Sequence, residues 1–230
     1  MDDILIIVFL MIDTRNIVMR GLKYVVALVL ALVVVVEAQA QSHEHGDEKS
    51  DGPRVRTEWG IGVGASYTML EHTSPITELK PRFGLGGHLH MGLLFGNNFA
   101  LEAEIHYSGG SVVATLPKID VQHKIKTTTV DFPVMMSLRM LDSIIQLDAG
   151  ILFTVMSRAE YTHEGELMFF GPLYPTFNLT GGVGFRLSRH FVLEAHYVYP
   201  LGETVNQFVY KDANFKSRAQ RFTAGLTLTF

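Results

Sequence analysis

The chain has 230 residues, 19 Lys+Arg against 23 Asp+Glu, a formal net charge of −4, 47% hydrophobic residues and no cysteine. This length favours one domain, two at most. Without cysteine there is no disulfide framework and no thiolate metal site, and the near-balanced charge leaves no basic footprint for nucleic acid.

The first forty residues read as an address rather than as fold. Residues 4–12 are a short apolar run between Asp2, Asp3 and Asp13. Residues 1–18 are read as an upstream extension or mis-assigned start, with Met19 as the true start. Arg20 and Lys23 then form a positive n-region, residues 24–36 an apolar h-region, and Ala38-Gln39-Ala40 a small-residue cleavage site. That is the layout of a secretory signal peptide over 19–40. The apolar run falls short of the roughly 20 residues a membrane-spanning helix needs. Residues 41–56 are polar and read as a periplasmic tether. His43, Glu44, His45 and Asp47 suit divalent ions as donors, but two histidines at i, i+2 with no further fixed ligand are expected to be solvated chain.

From Thr57 the apolar period becomes two, which signals strands with two different faces. The first strand sets Trp59, Ile61, Val63, Ala65 and Tyr67 against Glu58 and glycines. The second sets Phe83, Leu85, Leu89, Met91, Leu93 and Phe95 against Arg82, His88, His90 and glycines. The third opposes Phe99, Leu101, Ala103, Ile105 and Tyr107 to Glu102, Glu104, His106 and Ser108. The fourth opposes Val130, Phe132, Val134, Met136 and Leu138 to Thr129, Asp131, Ser137 and Arg139. The fifth runs from Ile145 to Val155 with Gln146 and Asp148 on its polar face, and the sixth from Phe177 to Leu187 with Asn178 and Arg186. The seventh, Phe191 to Tyr199, carries Glu194 and His196. In the eighth, Phe222, Ala224, Leu226, Leu228 and Phe230 alternate with Arg221, Thr223, Gly225, Thr227 and Thr229.

Connections alternate in length. Residues 96–98, 141–143 and 188–190 are tight turns, while 68–81, 109–126, 157–175 and 201–219 read as long loops. Eight such strands predict an all-β, antiparallel, up-and-down transmembrane β-barrel over 57–230. A weak repeat supports equivalent hairpins: FALEAEIHY at 99–107 resembles FVLEAHYVY at 191–199.

Alternation alone does not say which face is inside, because soluble barrels alternate too. Volume decides. An eight-stranded barrel has room only for side chains. The apolar face is uniformly large and fits lipid; the other is Gly, Ser and Thr with charges and fits a narrow lumen. Aromatic residues gather at both rims, with Trp59, Phe95, Phe99, Phe185, Phe191 and Phe230 at one. Tyr67, Phe83, Tyr107, Phe153, Phe177, Tyr199 and Phe222 mark the other, the two girdles that flank a membrane band. The expected lumen network comprises Glu58, Arg82, His88, His90, Glu102, Glu104, His106, Asp131, Arg139, Asp148, Arg186, Glu194, His196 and Arg221. Charges so placed must pair or stay hydrated, and a plug of ion pairs is expected over an open pore.

Several segments resemble a known family, the PorT-like outer-membrane barrels. The terminal FTAGLTLTF, with Phe222, Leu226, Leu228 and Phe230, looks like the β-signal read by the barrel-assembly machinery. TTTVDFPVMMSLRM resembles a recurrent strand of the family, with Asp131 and Pro133 in matching places. FVLEAHYVYPLGET resembles its penultimate strand, and the glycine-rich WGIGVGASY fits its first. The resemblance covers about 57–230. It implies an outer-membrane barrel of a Gram-negative bacterium, and the family's namesake belongs to a secretion apparatus. Pro133 also has its own reading: it cannot donate to a ladder, so it marks a bulge or interruption that can re-aim Asp131 into the lumen.

Chemistry is sparse. Glu104, His106 and Ser108 form an acid–base–hydroxyl column on one strand, but same-face neighbours sit about 7 Å apart, too far for a relay between short side chains. No nucleophile elbow or metalloprotease helix motif is present. Neither a catalytic residue, a cofactor nor a metal in the barrel is expected. Asn178-Leu179-Thr180 forms a sequon read as chance. Lys118, His123, Lys124 and Lys126 surround one long loop, and Lys211, Lys216, Arg218 and Arg221 another. Lys211, Lys216 and Arg218 are the candidate contacts to lipopolysaccharide phosphates. The expected role is structural or interaction-based, as an accessory to secretion or envelope assembly. A narrow channel, a surface adhesin and a lipid-modifying enzyme are the alternatives.

Overall fold

The computed structural model describes residues 55–73, 78–116, 121–207 and 215–230. The leader, most of the tether, Lys118 and Lys211 lie outside these residues. The elements, in chain order, are β1 (Val55–His72), β2 (Glu78–Pro81), β3 (Phe83–Phe95), β4 (Phe99–Leu116), β5 (Val121–Met140) and β6 (Ile145–His163). They continue as β7 (Glu166–Phe169), β8 (Phe177–Arg186), β9 (Phe191–Pro200), β10 (Thr204–Asn206) and β11 (Phe215–Thr229).

Eight of these strands form a ring in the order β1-β3-β4-β5-β6-β8-β9-β11, and β11 pairs back onto β1. All pairings in the ring are antiparallel. The last residue is tied into the seam: Trp59 N donates to Phe230 O at 3.1 Å, and Phe230 N to Trp59 O at 2.9 Å. Closure leaves the ring without the unpaired edge that invites aggregation. The three short strands extend it at one end only, β2 on β4, β7 on β6 and β10 on β11.

The segments read as long loops are largely strand. β4 runs on to Leu116, β5 starts at Val121 and β6 reaches His163, so those hairpins rise well beyond the aromatic rim. β1 likewise starts at Val55, inside the expected tether.

Pro133 leaves its expected mark. The β4–β5 register skips Glu104–Ile105 opposite Phe132–Pro133. The bulge itself lies one ladder further on. Asp131 pairs with Thr154 while Val130 pairs with Met156, so Val155 of β6 has no partner. That extra residue turns β6 by one position: Thr154 points inward below the bulge, and Ala159 and Tyr161 point inward above it. Phe132 departs from the expected lipid-facing set, being buried beside the lapse.

Leu93 and Ala103, also expected outside, are buried as well, while most of the remaining apolar set is at least partly exposed. Trp59, Phe95, Phe99, Phe185, Phe191 and Phe230 are exposed around the short-turn end. Tyr67, Phe83, Tyr107, Phe177, Tyr199 and Phe222 are exposed one strand-length away, with Ile61, Leu89, Ile105, Ile151 and Leu193 between. Phe222, Leu226, Leu228 and Phe230 all lie on this outer face of β11.

Candidate functional site

The inner face is built in layers. At the short-turn end, Leu94, Ala100 and Val192 make an apolar floor. Above it, Arg139 lies 2.7 Å from Glu58 Oε1 and 3.2 Å from Glu102 Oε1, and Arg186 is 3.1 Å from Glu58. Gln146 donates to Glu102 and, at 2.9 Å, to Asp148. Ser137 also donates to Asp148. Each carboxylate here has charged or amide donors, as burial demands.

The middle layer is histidine-rich. His90 Nδ1 lies 2.9 Å from Glu104 Oε1, and His106 Nε2 contacts Glu104 Oε2. His196 Nε2 lies 3.3 Å from Asp148, and His88 Nε2 2.8 Å from Thr227 Oγ1. The His88 and His106 rings stack at 4.8 Å. Glycine makes this possible. His88 faces Gly62 across the β1–β3 ladder, and His196 faces Gly182 across β8–β9. A Cβ at either glycine would overlap the imidazole lying over it. Gly62 and Gly182 are therefore seats for histidine rings in a barrel too narrow for side chains on every strand.

The upper layer pairs Arg221 with Asp131 at 2.6 Å. The Arg221 guanidinium also lies over the Tyr174 ring, 4.8 Å from its centroid, a cation–π contact. The Tyr174 hydroxyl is 2.5 Å from Thr68 Oγ1.

Beyond this point the interior becomes hydrocarbon. Leu79, Val112, Ala114, Ile125, Ala159, Tyr161, Phe170, Leu173, Tyr174, Phe215 and Ala219 form one buried cluster inside the extended hairpins. Phe170 is fully buried, and its ring meets Phe215 edge-on at 5.8 Å. The connector after β7 is held in place by Ser157, whose hydroxyl accepts from the amides of Leu173 and Tyr174 at 2.9 and 3.0 Å. Asn206, also fully buried, donates to Pro172 O at 2.9 Å. This roof was not expected from the sequence. Its signal is the inward alternation of Val112 and Ala114, and of Ile125 between Lys124 and Lys126, in stretches read as loop.

The other expected site residues divide as follows. Glu58, His88, His90, Glu102, Glu104, His106, Asp131, Arg139, Asp148, Arg186, Glu194, His196 and Arg221 all face the interior of the ring. Arg82 does not join them. It is exposed between β2 and β3 and borders a small cavity with Thr68 and Tyr174. Glu104 and His106 are in direct contact, because both side chains are long enough to close the strand spacing. Ser108 turns away and bonds Thr129 Oγ1 at 2.6 Å, so the column supplies no hydroxyl–imidazole contact. Asn178 is fully buried and donates to Thr154 and Pro175, which removes it from any modifying enzyme. Lys216 and Arg218 sit 3.3 and 3.9 Å from Glu203, a carboxylate that partly neutralises them.

A closed eight-stranded antiparallel ring, with an apolar outer band between aromatic girdles and charges inside, defines an outer-membrane β-barrel protein. The chain belongs to the family described as outer membrane protein beta-barrel domain, whose profile matches residues 39–206. The protein is thus a component of the outer membrane of a Gram-negative bacterium. No curated protein sequence is similar to it. Among solved structures it is similar to Ail of Yersinia pestis, crystallised with the heparin analogue sucrose octasulfate (14% identity, 76% of this chain and 99% of that one, TM-score 0.47). It is also similar to Neisserial surface protein A (15%, 75% and 97%, TM-score 0.49). A third is OprG of Pseudomonas aeruginosa (12%, 78% and 98%, TM-score 0.45).

Proposed function

We propose that this barrel is closed and non-catalytic, and that it works through its surfaces as an accessory to secretion or envelope assembly. One observation carries the reading: the polar lumen ends at the apolar cluster around Phe170, Leu173 and Tyr174. A conducting barrel needs a continuous wet path, and an ion meeting that hydrocarbon would lose its hydration. The column of Glu104, His106 and Ser108 lacks the nucleophile–base contact that covalent catalysis requires.

The short turns would face the periplasm and the extended hairpins the exterior. The outward faces of those hairpins carry Lys124, Lys126, Arg158, Lys216 and Arg218, which fit lipopolysaccharide phosphates or a charged protein partner. During biogenesis the outer face of β11, ending in Phe230, would engage the barrel-assembly machinery. The likeness of strands β1, β5 and β9 to PorT-like barrels supports secretion components as the partners. Purification of the tagged protein from its native membrane in gentle detergent, followed by mass spectrometry, tests this. Stoichiometric recovery of secretion or envelope-assembly components is expected; a lone barrel would overturn the accessory role.

A further inference from the structure

The arginines of the lumen are committed at its two ends, Arg139 and Arg186 to Glu58 and Glu102, and Arg221 to Asp131. Glu104 and Glu194, in the middle, have only histidines as ion-pair partners among the described residues. Imidazole and carboxylate together are the donor set of zinc and its neighbours in the first transition row. Single donor atoms of His88, Glu104 and Glu194 lie within 4.8 Å of one another, as do those of His90, Glu102 and Glu104.

We propose that His88, Glu104 and Glu194 form a binding site for one divalent transition-metal ion of the zinc type. Three features of the geometry point there. First, the ion would replace the Thr227 hydroxyl at His88 Nε2, an atom that lies 3.9 Å from Glu194 Oε2. That is too long for a hydrogen bond, but it lies within the span of two zinc bonds of about 2.1 Å meeting at a metal. Second, both oxygens of Glu104 are already oriented, one by His90 and the other by His106. A ligating carboxylate held by outer hydrogen bonds is the usual support of a metal centre. Third, Glu104 borders a small void beside His106 and His196, and His88 and Glu194 border a cavity of about 50 Å³. That is room for an ion and a coordinated water, at roughly 10–15 Å³ per water. The second set sharing Glu104 contains His90, whose buried Nε2 has no hydrogen-bond partner among the described residues and lies 3.9 Å from Glu58 Oε1. It offers the ion an adjoining donor, but its Glu102 is already taken by Arg139 and Gln146, which places the ion on the His88–Glu194 side.

The test uses the full mature chain, folded in detergent and carrying no histidine tag. His43→Ala and His45→Ala are introduced as the reference background, so that the tether contributes no ligands. Titration with Zn²⁺ alone, read by calorimetry, is expected to give one ion per chain. Glu194→Gln and His88→Gln should each weaken binding by about tenfold or more, while heat modifiability on gels reports that each variant remains folded. Co²⁺ added to the reference protein supplies a second readout, since ligation by imidazole and carboxylate changes its visible absorption. No saturable Zn²⁺ binding in the reference protein, an unchanged Co²⁺ spectrum, or undiminished affinity in both folded variants would each overturn the site.

Discussion

Below the upper aromatic girdle the inner face is charged and the outer face apolar; above it the inner face turns apolar and the outer face gains lysine and arginine beside Leu167, Phe169 and Val205. The same strands do both. On β4 the inward residues run Glu102, Glu104 and His106, then Val112 and Ala114. On β5 they run Arg139, Ser137 and Asp131, then Ile125, while Lys124 and Lys126 turn outward. On β11 Arg221 gives way to Ala219 and Phe215, with Lys216 and Arg218 outside. The membrane part is an inside-out barrel facing lipid, and the extension is an ordinary one facing water, with its apolar side buried. Strand period and sheet continuity are thus indifferent to the solvent. The chemistry of each face follows what surrounds it, and the change of surroundings is marked by Tyr67, Phe83, Tyr107, Phe177, Tyr199 and Phe222.

The two regions should therefore break by different mechanisms. Arg139→Met leaves Glu102 buried without its guanidinium and Glu58 with Arg186 alone. It should cost about 3–5 kcal/mol of unfolding free energy, read by urea titration with the fluorescence of Trp59, the chain's single tryptophan. Replacing Phe170 by alanine empties the centre of the roof and should cost about 3–5 kcal/mol as well. Its loss should concentrate in the extension, so protease cuts should appear there before the ring unfolds. If Phe170→Ala destabilised the ring and the roof equally, the two would be one cooperative unit and the contrast would fail.

Smaller changes sharpen the comparison. Gly182→Ala places a methyl against the His196 ring. Overpacking of that kind should cost about 1–3 kcal/mol, and His196→Ala in the same chain should recover part of it. Lys216→Ala removes one exposed partner of Glu203. It should change stability by less than about 0.5 kcal/mol by the same urea titration, leaving lipopolysaccharide affinity as the property by which this residue is judged.

Much of the lower barrel was legible in the sequence, because Trp59, Ile61 and Val63 or Phe222 to Phe230 alternate without interruption. The ring residues of the lumen follow from that alternation. Their pairing does not. His88 over Gly62 and His196 over Gly182 depend on cross-strand register, which a single sequence does not state. The roof escaped for other reasons. Gly109-Gly110 and the adjacent Val112-Val113 blur the period where β4 leaves the girdle. Phe170, Leu173 and Tyr174 lie on a connector with no period at all. Arg82 was placed in the lumen by parity alone, but the break between β2 and β3 frees it from the strand's alternation.

In the proposed function the lumen is closed by its own side chains. Single-channel recording of the purified, heat-modifiable protein in planar bilayers tests it most directly. The wild-type barrel should give no discrete conductance at moderate voltage, and neither should a double variant, Phe170→Ala with Tyr174→Ala, because the Arg139–Glu58–Glu102 layer and the floor of Leu94, Ala100 and Val192 still close the other end. Steady, ohmic conductance from the wild-type protein would contradict the account.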